Sequence, residues 1–269
     1  MDDRSPPLLR HKAYSQASEF MPAKLLREAR RQKSLPDGRL PRVCVLDPDG
    51  DIVANLLARG QAQPNPFWAC YHTTLYNFCR DSIECGIVGS VVGAPFAVLV
   101  AEELFASGCE LLIHVTSSGQ IDPSWRPPFF LLVEKALRDE GTSYHYLPAA
   151  DFSHLRPELL DLLRDAFGAL DTPVYRGATW TTDAPFRETR TAISQAQARG
   201  IVAVEMEVAG LYAFAQARAK PVVCFAHITN QMGDIEGDFE KGEAQGSRAA
   251  LDIILATAKT WLAAHPSPL

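Results

Sequence analysis

The sequence predicts an α/β protein, a single domain with a mixed central β-sheet flanked by helices, and three observations predict it. Short runs of Val, Ile and Leu bounded by turn residues alternate with helix-length segments, the pattern of a mostly parallel, covered sheet. A chain of 269 residues with 47% hydrophobic content can enclose one large core. No internal repeat, low-complexity tract or interdomain linker interrupts it.

Residues 1–41 read as an N-terminal arm, in which Pro6-Pro7 precedes a helix from Ala23 to Lys33 closed by Leu35-Pro36-Asp37-Gly38. The α/β domain is expected over residues 42–269. Arg42 to Leu46 reads as the first core strand, with Asp47-Pro48-Asp49-Gly50 as the turn after it and a helix over 51–59. Pro64-Asn65-Pro66 breaks the chain before a strand pair near 68–90. Gly93-Ala94-Pro95 opens an apolar helix to Ala106, and Leu111 to Val115 is a buried strand. Next come a helix near 129–140, a strand near 143–147, a helix near 157–167 and a strand near 173–179. A strand over 201–204, its helix to Ala219, the strand Val222 to Ile228 and a helix near 240–264 complete the order.

Composition excludes several classes of partner. The net charge is -6 with no basic block, so neither nucleic acid nor an anionic membrane surface is expected. No apolar run approaches the ~20 residues of a membrane helix, and the N-terminus has no signal-peptide apolar region. The six cysteines form no CxxC pair and mostly sit in apolar runs, as reduced core thiols in a cytoplasmic protein do. The histidines show no metal-ligand spacing, so no metal and no other cofactor is expected.

The chemistry concentrates in four stretches, each read as following a strand, where ligands of such sheets bind. They are Asp47-Pro48-Asp49, Thr116-Ser117-Ser118-Gly119, Thr181-Thr182-Asp183-Ala184-Pro185-Phe186, and Val204-Glu205-Met206-Glu207-Val208-Ala209-Gly210-Leu211-Tyr212. In the last, Glu205 and Glu207 bracket Met206 where a helix begins. Acidic residues in a first helical turn oppose the helix dipole favourably. A buried carboxylate also needs a partner, and a sugar diol is one.

Together and in this order, the four stretches resemble those of the nucleoside phosphorylase superfamily. That superfamily includes uridine and purine nucleoside phosphorylases and methylthioadenosine/S-adenosylhomocysteine nucleosidases. The resemblance covers roughly residues 42–262. It implies that Glu207 accepts hydrogen bonds from ribose hydroxyls, that Met206 packs on the sugar and that Glu205 supports them. His145, in Arg138 to Tyr146, falls where members approach the sugar, and a half-buried strand is its other reading. Thr182, Asp183 and Phe186 match the base pocket; Arg187 either reads a base edge or begins a solvated helix. Asn230 and Gln231 follow the strand Val222 to Ile228. Asn230 can hydrogen-bond a leaving base but has no titratable proton to donate.

The nucleophile site departs from the phosphorylase pattern. Where those enzymes hold phosphate with a Gly and two Arg, this chain has Leu46, Gly50 and His114, while Thr116, Ser117 and Ser118 keep the hydroxyls. A phosphate carries roughly 1.5–2 negative charges near neutrality, and a missing buried partner costs roughly 3–5 kcal/mol. Loss of arginine is also what the nucleosidase branch shows, where a carboxylate positions water. Asp51 occupies that place and is equally a candidate helix cap. His114 could instead hold phosphate as a cation, though an unperturbed imidazole is mostly neutral at pH 7.

The resemblance therefore implies cleavage of a nucleoside N-glycosidic bond, with hydrolysis favoured over a uridine-type phosphorylase reaction. A catalytically silent nucleoside-binding protein is the reading from another class. It also implies a homodimer or a hexamer built as a trimer of dimers.

Overall fold

The computed structural model describes residues 6–230, 241 and 243–266. The N-terminal segment leads into α1 (Pro22–Lys33), which buries Leu26 and Ala29 against Ala69. The first half of the chain then runs β1 (Val43–Asp47), α2 (Asp51–Ala58), β2 (Ala62–Pro64), β3 (Leu75–Arg80), β4 (Ile83–Gly89), α3 (Ala94–Ala106) and β5 (Leu111–Gln120). It continues with β6 (Phe129–Asp139), α4 (Ser143–Tyr146), β7 (Phe152–His154), α5 (Pro157–Leu162), β8 (Val174–Thr182) and α6 (Arg190–Ala198). β9 (Ile201–Glu205), α7 (Val208–Arg218), β10 (Val222–Asn230) and α8 (Ser247–Ala264) finish it.

The strands form one mixed sheet in the order β10-β6-β8-β9-β5-β1-β4-β3-β2, with β7 on the flank of β6. Because β10 pairs with β5 as well as β6, the strands β5, β9, β8, β6 and β10 close on themselves, and β1, β4, β3 and β2 extend outward from β5. Parallel pairing joins β1 to β4 and β5, β10 to β5, and β8 to β6 and β9. All five residues of β1 are buried, and the first four, Val43 to Leu46, read as an unbroken apolar run. Tyr212 of α7 reaches into the closed strands. Its hydroxyl donates to Val133 O at 2.6 Å and accepts Cys224 N–H at 3.2 Å.

Several expectations are corrected. Phe129–Asp139 forms strand β6 where a helix is expected near 129–140. The run Phe129-Phe130-Leu131-Leu132-Val133 is buried throughout, and a continuous apolar run does not distinguish a strand from a buried helix. Pairing with β7 and β8 overrides the helix-favouring Glu134-Lys135-Ala136-Leu137 that follows. Conversely, Ser143–Tyr146 forms the single helical turn α4 where a strand is expected. The Glu140 carboxylate accepts Ser143 N–H, and the Arg138 guanidinium donates to the carbonyls of Leu147 and Pro148, so side chains close both ends of that turn. The helix expected at 157–167 stops at Leu162, and the sequence reading missed β2, β7 and α6. The final α-helix begins at Ser247, after a 3-10 turn at Glu243–Gly246. Thr116 to Gly119 lies inside β5, which runs on to Gln120. Parallel and antiparallel pairs are present in similar number, so the sheet is less parallel than expected. Among the described residues no helix is long and apolar enough to cross a membrane, and all six cysteines are unpaired, with Cys79 alone exposed.

Candidate active site

Two layers of residues meet along the middle of β5. Alternation along a strand sends successive side chains to opposite faces, so His114 and Thr116 share one face with α7 while Ser117 turns to the other, toward the β1–α2 turn. On the first face, Glu207 is buried. Its Oε1 accepts the Gly93 N–H at 2.7 Å and its Oε2 accepts the Thr116 hydroxyl at 3.2 Å. Burial, and then the neighbouring Glu205, push the Glu207 carboxyl up to about 8.

Glu205 is saturated from within. It accepts the hydroxyls of Thr179 and Thr181 on one oxygen, and the N–H groups of Glu207 and Val208 on the other, both at 2.7 Å. It therefore satisfies the start of α7 and fixes the bend that presents Glu207; burial raises its pKa as well. Gly210, one turn into α7, lets the helix approach α3, since a Cβ there would stand 2.8 Å from the Ala94 Cβ.

His114 lies wholly inside, 3.7 Å from Glu207, and neither ring nitrogen has a hydrogen-bond partner. Burial lowers its pKa to about 3. His114 is thus enclosed by the fold, and its burial favours the neutral imidazole, which speaks against a cationic His114 holding phosphate.

On the second face, the turn after β1 carries three carboxylates. Asp47 is buried, its Oδ2 accepts Val53 N–H at 3.0 Å, and burial pushes its pKa up to about 7. Asp47 thus caps the first turn of α2, and Asp51 does not. Gly50 adopts a left-handed conformation (φ 78°) at the N-cap, and Asp51 is the first helical residue. The Asp49 carboxylate accepts Ser117 N–H at 3.1 Å and the Ser117 hydroxyl at 3.0 Å. Lys241 Nζ bridges Asp51 at 2.7 Å and Asp49 at 3.0 Å. Burial opposes the Lys241 charge, the two carboxylates outweigh it, and its pKa is raised. Asp47, Asp49, Asp51, Thr116, Ser117, His227 and Lys241 line a cavity of about 20 Å³. His227 stacks on Phe130, and burial lowers its pKa to about 4.

The remaining sequence-predicted residues are dispersed. Met206 is half-buried beside Glu207, and the Ser118 hydroxyl is buried with no partner. Thr182 accepts Ala184 N–H, and Asp183 accepts Gly141 N–H at 2.9 Å. Phe186 is fully exposed on a 3-10 turn at Pro185–Arg187, with Arg187 also exposed. His145 lies in α4, where Lys12 of the N-terminal segment meets its Nδ1 at 2.9 Å. It lines a separate groove of about 1000 Å³ with Tyr14, Phe20, Pro95 and Tyr146. The Asn230 side chain and Gln231 lie outside the described residues. Among the described residues no group of three His, Cys, Asp or Glu side chains could hold a metal ion.

The sequence reading missed Gly93, His227 and Lys241, and gave no role to Asp47 or Asp49. The acidic spacing Asp47-x-Asp49-x-Asp51 was the available signal for the last two. Nothing local in sequence pairs Lys241 with residues some 190 positions earlier.

Residues 43–259 match the family profile described as the phosphorylase superfamily. The chain belongs to that superfamily. An uncharacterized protein of Acanthamoeba polyphaga mimivirus is 29% identical over 154 residues, 56% of this chain, and the chain spans 58% of that protein's length. Among solved structures, a uridine phosphorylase from Vibrio fischeri superposes with a TM-score of 0.70 at 19% identity, covering 84% of this chain and 92% of that one. A Campylobacter jejuni 5'-methylthioadenosine/S-adenosyl homocysteine nucleosidase superposes with a TM-score of 0.67 at 17% identity, covering 82% and 100%. These likenesses bear out the α/β fold. A phosphorylase and a nucleosidase thus both share this fold.

Proposed function

We propose that this chain is an enzyme that cleaves the N-glycosidic bond of a nucleoside by hydrolysis. The observation that carries the choice of nucleophile is the cavity beside Thr116. At about 20 Å³ it has room for one water, which needs ~10–15 Å³ of such space. Three carboxylates and one lysine line it, an environment that repels an anion carrying ~1.5–2 negative charges.

In this reading Glu207 grips the ribose hydroxyls, with Met206 against the sugar and Glu205 as the support that positions both. Water adds its oxygen to the anomeric carbon while the bond to the base breaks and its electrons leave with the base, through a sugar of oxocarbenium character. Asp51 takes the proton of that water, and Thr116 joins the sugar grip to the water cavity, since it touches both. Phe186 offers a free aromatic face for the base, and Thr182, Asp183 and Arg187 of the same stretch are assigned to the base from the sequence alone. Asn230 and Gln231 are assigned to the leaving base from the sequence alone. A cytoplasmic homodimer or trimer of dimers belongs to the same reading.

A phosphate-dependent phosphorylase is the second reading, favoured by Lys241 and the two Ser117 donors, which form an anion-binding set. The deciding experiment measures release of free base from purine and pyrimidine nucleosides, with and without phosphate. Release in phosphate-free buffer, giving free ribose, is expected. Release only with phosphate, giving ribose 1-phosphate, overturns hydrolysis, and binding without turnover identifies a silent nucleoside-binding protein.

A further inference from the structure

Ser117 presents a backbone N–H and a hydroxyl in the same direction, and Lys241 Nζ points to the same place from the segment before α8. Three donors converging on one point, one of them a full positive charge, describe an oxyanion site. In this protein a carboxylate of the chain itself fills it. Asp49 takes Ser117 N–H at 3.1 Å, the Ser117 hydroxyl at 3.0 Å and Lys241 Nζ at 3.0 Å.

We propose that Asp49 is a built-in oxyanion surrogate and the residue that sets which nucleophile the site admits. The proposal rests on the hydrolytic reading above and names its determinant. A phosphate oxygen needs the donors that Asp49 already holds, and the phosphate as a whole would face the Asp49 charge at hydrogen-bonding distance. Water needs neither donor vacated, so it enters freely. Asp49 is well placed to hold this position. The turn Asp47-Pro48-Asp49-Gly50 is closed by Gly50 N–H donating to Asp47 O at 3.0 Å, and proline at its second position pre-sets the backbone. Lys241 is neutralised by two carboxylates at once, so no net positive charge is left to recruit a phosphate. Asp51 is bonded to Lys241 but to neither Ser117 donor, which separates the two acids. Asp51 is the candidate for activating water, and Asp49 is the candidate for excluding phosphate.

The test reads binding of inorganic phosphate directly, by calorimetry or phosphorus NMR, on the full chain without nucleoside. Asp49→Ser suits the third position of the turn and frees the Ser117 and Lys241 donors. Asp49→Asn keeps the shape, removes the charge, and decides the matter if the serine variant does not fold by circular dichroism. Phosphate binding at least 10-fold tighter than in the wild type is expected, and it should be lost again when Ser117→Ala is added. Equal affinity in wild type and variant overturns the proposal, as does tighter binding that survives Ser117→Ala. Base release in phosphate-free buffer is measured separately. A wild type with no hydrolysis sinks the hydrolytic reading and leaves the phosphate comparison standing on its own result.

Discussion

The Glu207 carboxylate accepts the backbone N–H of Gly93 at 2.7 Å, across 114 positions of sequence. That bond ties the start of α7 to the start of α3 and leaves the second Glu207 oxygen turned toward Thr116. A carboxyl held there by fixed donors is oriented by the fold before any ligand arrives, so in the proposed reading a sugar diol meets a prepared acceptor once that carboxyl is ionised.

Glu207→Gln should therefore bind and turn over nucleosides poorly while folding normally, because the amide oxygen can still accept from Gly93. One charge-assisted hydrogen bond is worth about 1.5–3 kcal/mol, which is a roughly 10- to 100-fold fall in kcat/KM. The wild-type profile of kcat/KM should rise with pH to a plateau above about 8, where the free Glu207 carboxyl ionises and can accept from the sugar. In Glu207→Gln that rising limb should vanish. Steady-state kinetics across pH 6 to 9, a range set roughly one to two units about that value, decides it. A limb that persists in the variant assigns the ionisation to another group.

Gly210→Ala isolates the packing that positions Glu207. The added methyl would stand 2.8 Å from the Ala94 Cβ, so α7 must move away from α3. Overpacking of this kind costs about 1–3 kcal/mol. Chemical denaturation should show that loss, and kcat should fall although no contact to ligand is removed. A variant as active and as stable as the wild type would show that the helices give way without moving Glu207.

The buried titratable groups set the pH dependence of stability. Asp47 and Glu207 keep their protons in the folded state up to about 7 and 8, while unfolded carboxylates release theirs near 4. The folded chain thus binds more protons across that interval, and stability from these groups is lost as pH rises through it. His114 and His227 act with the opposite sign: depressed to about 3 and 4, they stay neutral while unfolded histidines protonate below about 6.5. The two effects offset below ~6.5, and only the carboxylates act above it. Thermal melting should show Tm falling from about pH 6.5 to 8, with a shallower fall in Asp47→Asn and in Glu207→Gln. A Tm that rises over that window contradicts the assignment.

Sequence legibility followed the physics of each part. β1, β9 and the helices after them were readable because buried apolar runs end in turn residues, and the Glu205-Met206-Glu207 segment carries its chemistry within a few residues. β6 reads as a helix because residues such as Glu134 and Lys135 favour one, and only pairing with β7 and β8 makes that part of the segment a strand. The charge state of His114 is not legible for a related reason: it depends on complete enclosure, which its apolar neighbours in sequence suggest but do not establish. Lys241 and Gly93 were invisible because their roles exist only through partners far along the chain.

Asp51→Asn is the sharpest test of the water-activating role. Asp51 accepts from Lys241 at 2.7 Å, and the asparagine oxygen can keep that bond, so the cavity should hold its shape. Asparagine cannot accept the proton of the attacking water, and losing a general base costs typically 10²–10⁴-fold. Nucleoside binding should be little changed, since Glu207 and its bonds to Gly93 and Thr116 do not involve Asp51. The expected outcome is thus a collapse of kcat in phosphate-free buffer with dissociation constants within a few-fold of the wild type. Loss of both together would mean that the Lys241 bridge holds the whole site in place. Undiminished kcat would reduce Asp51 to a partner of Lys241 and move the search for the base to Asp47, the buried carboxylate of the same cavity, whose pKa lies at about 7.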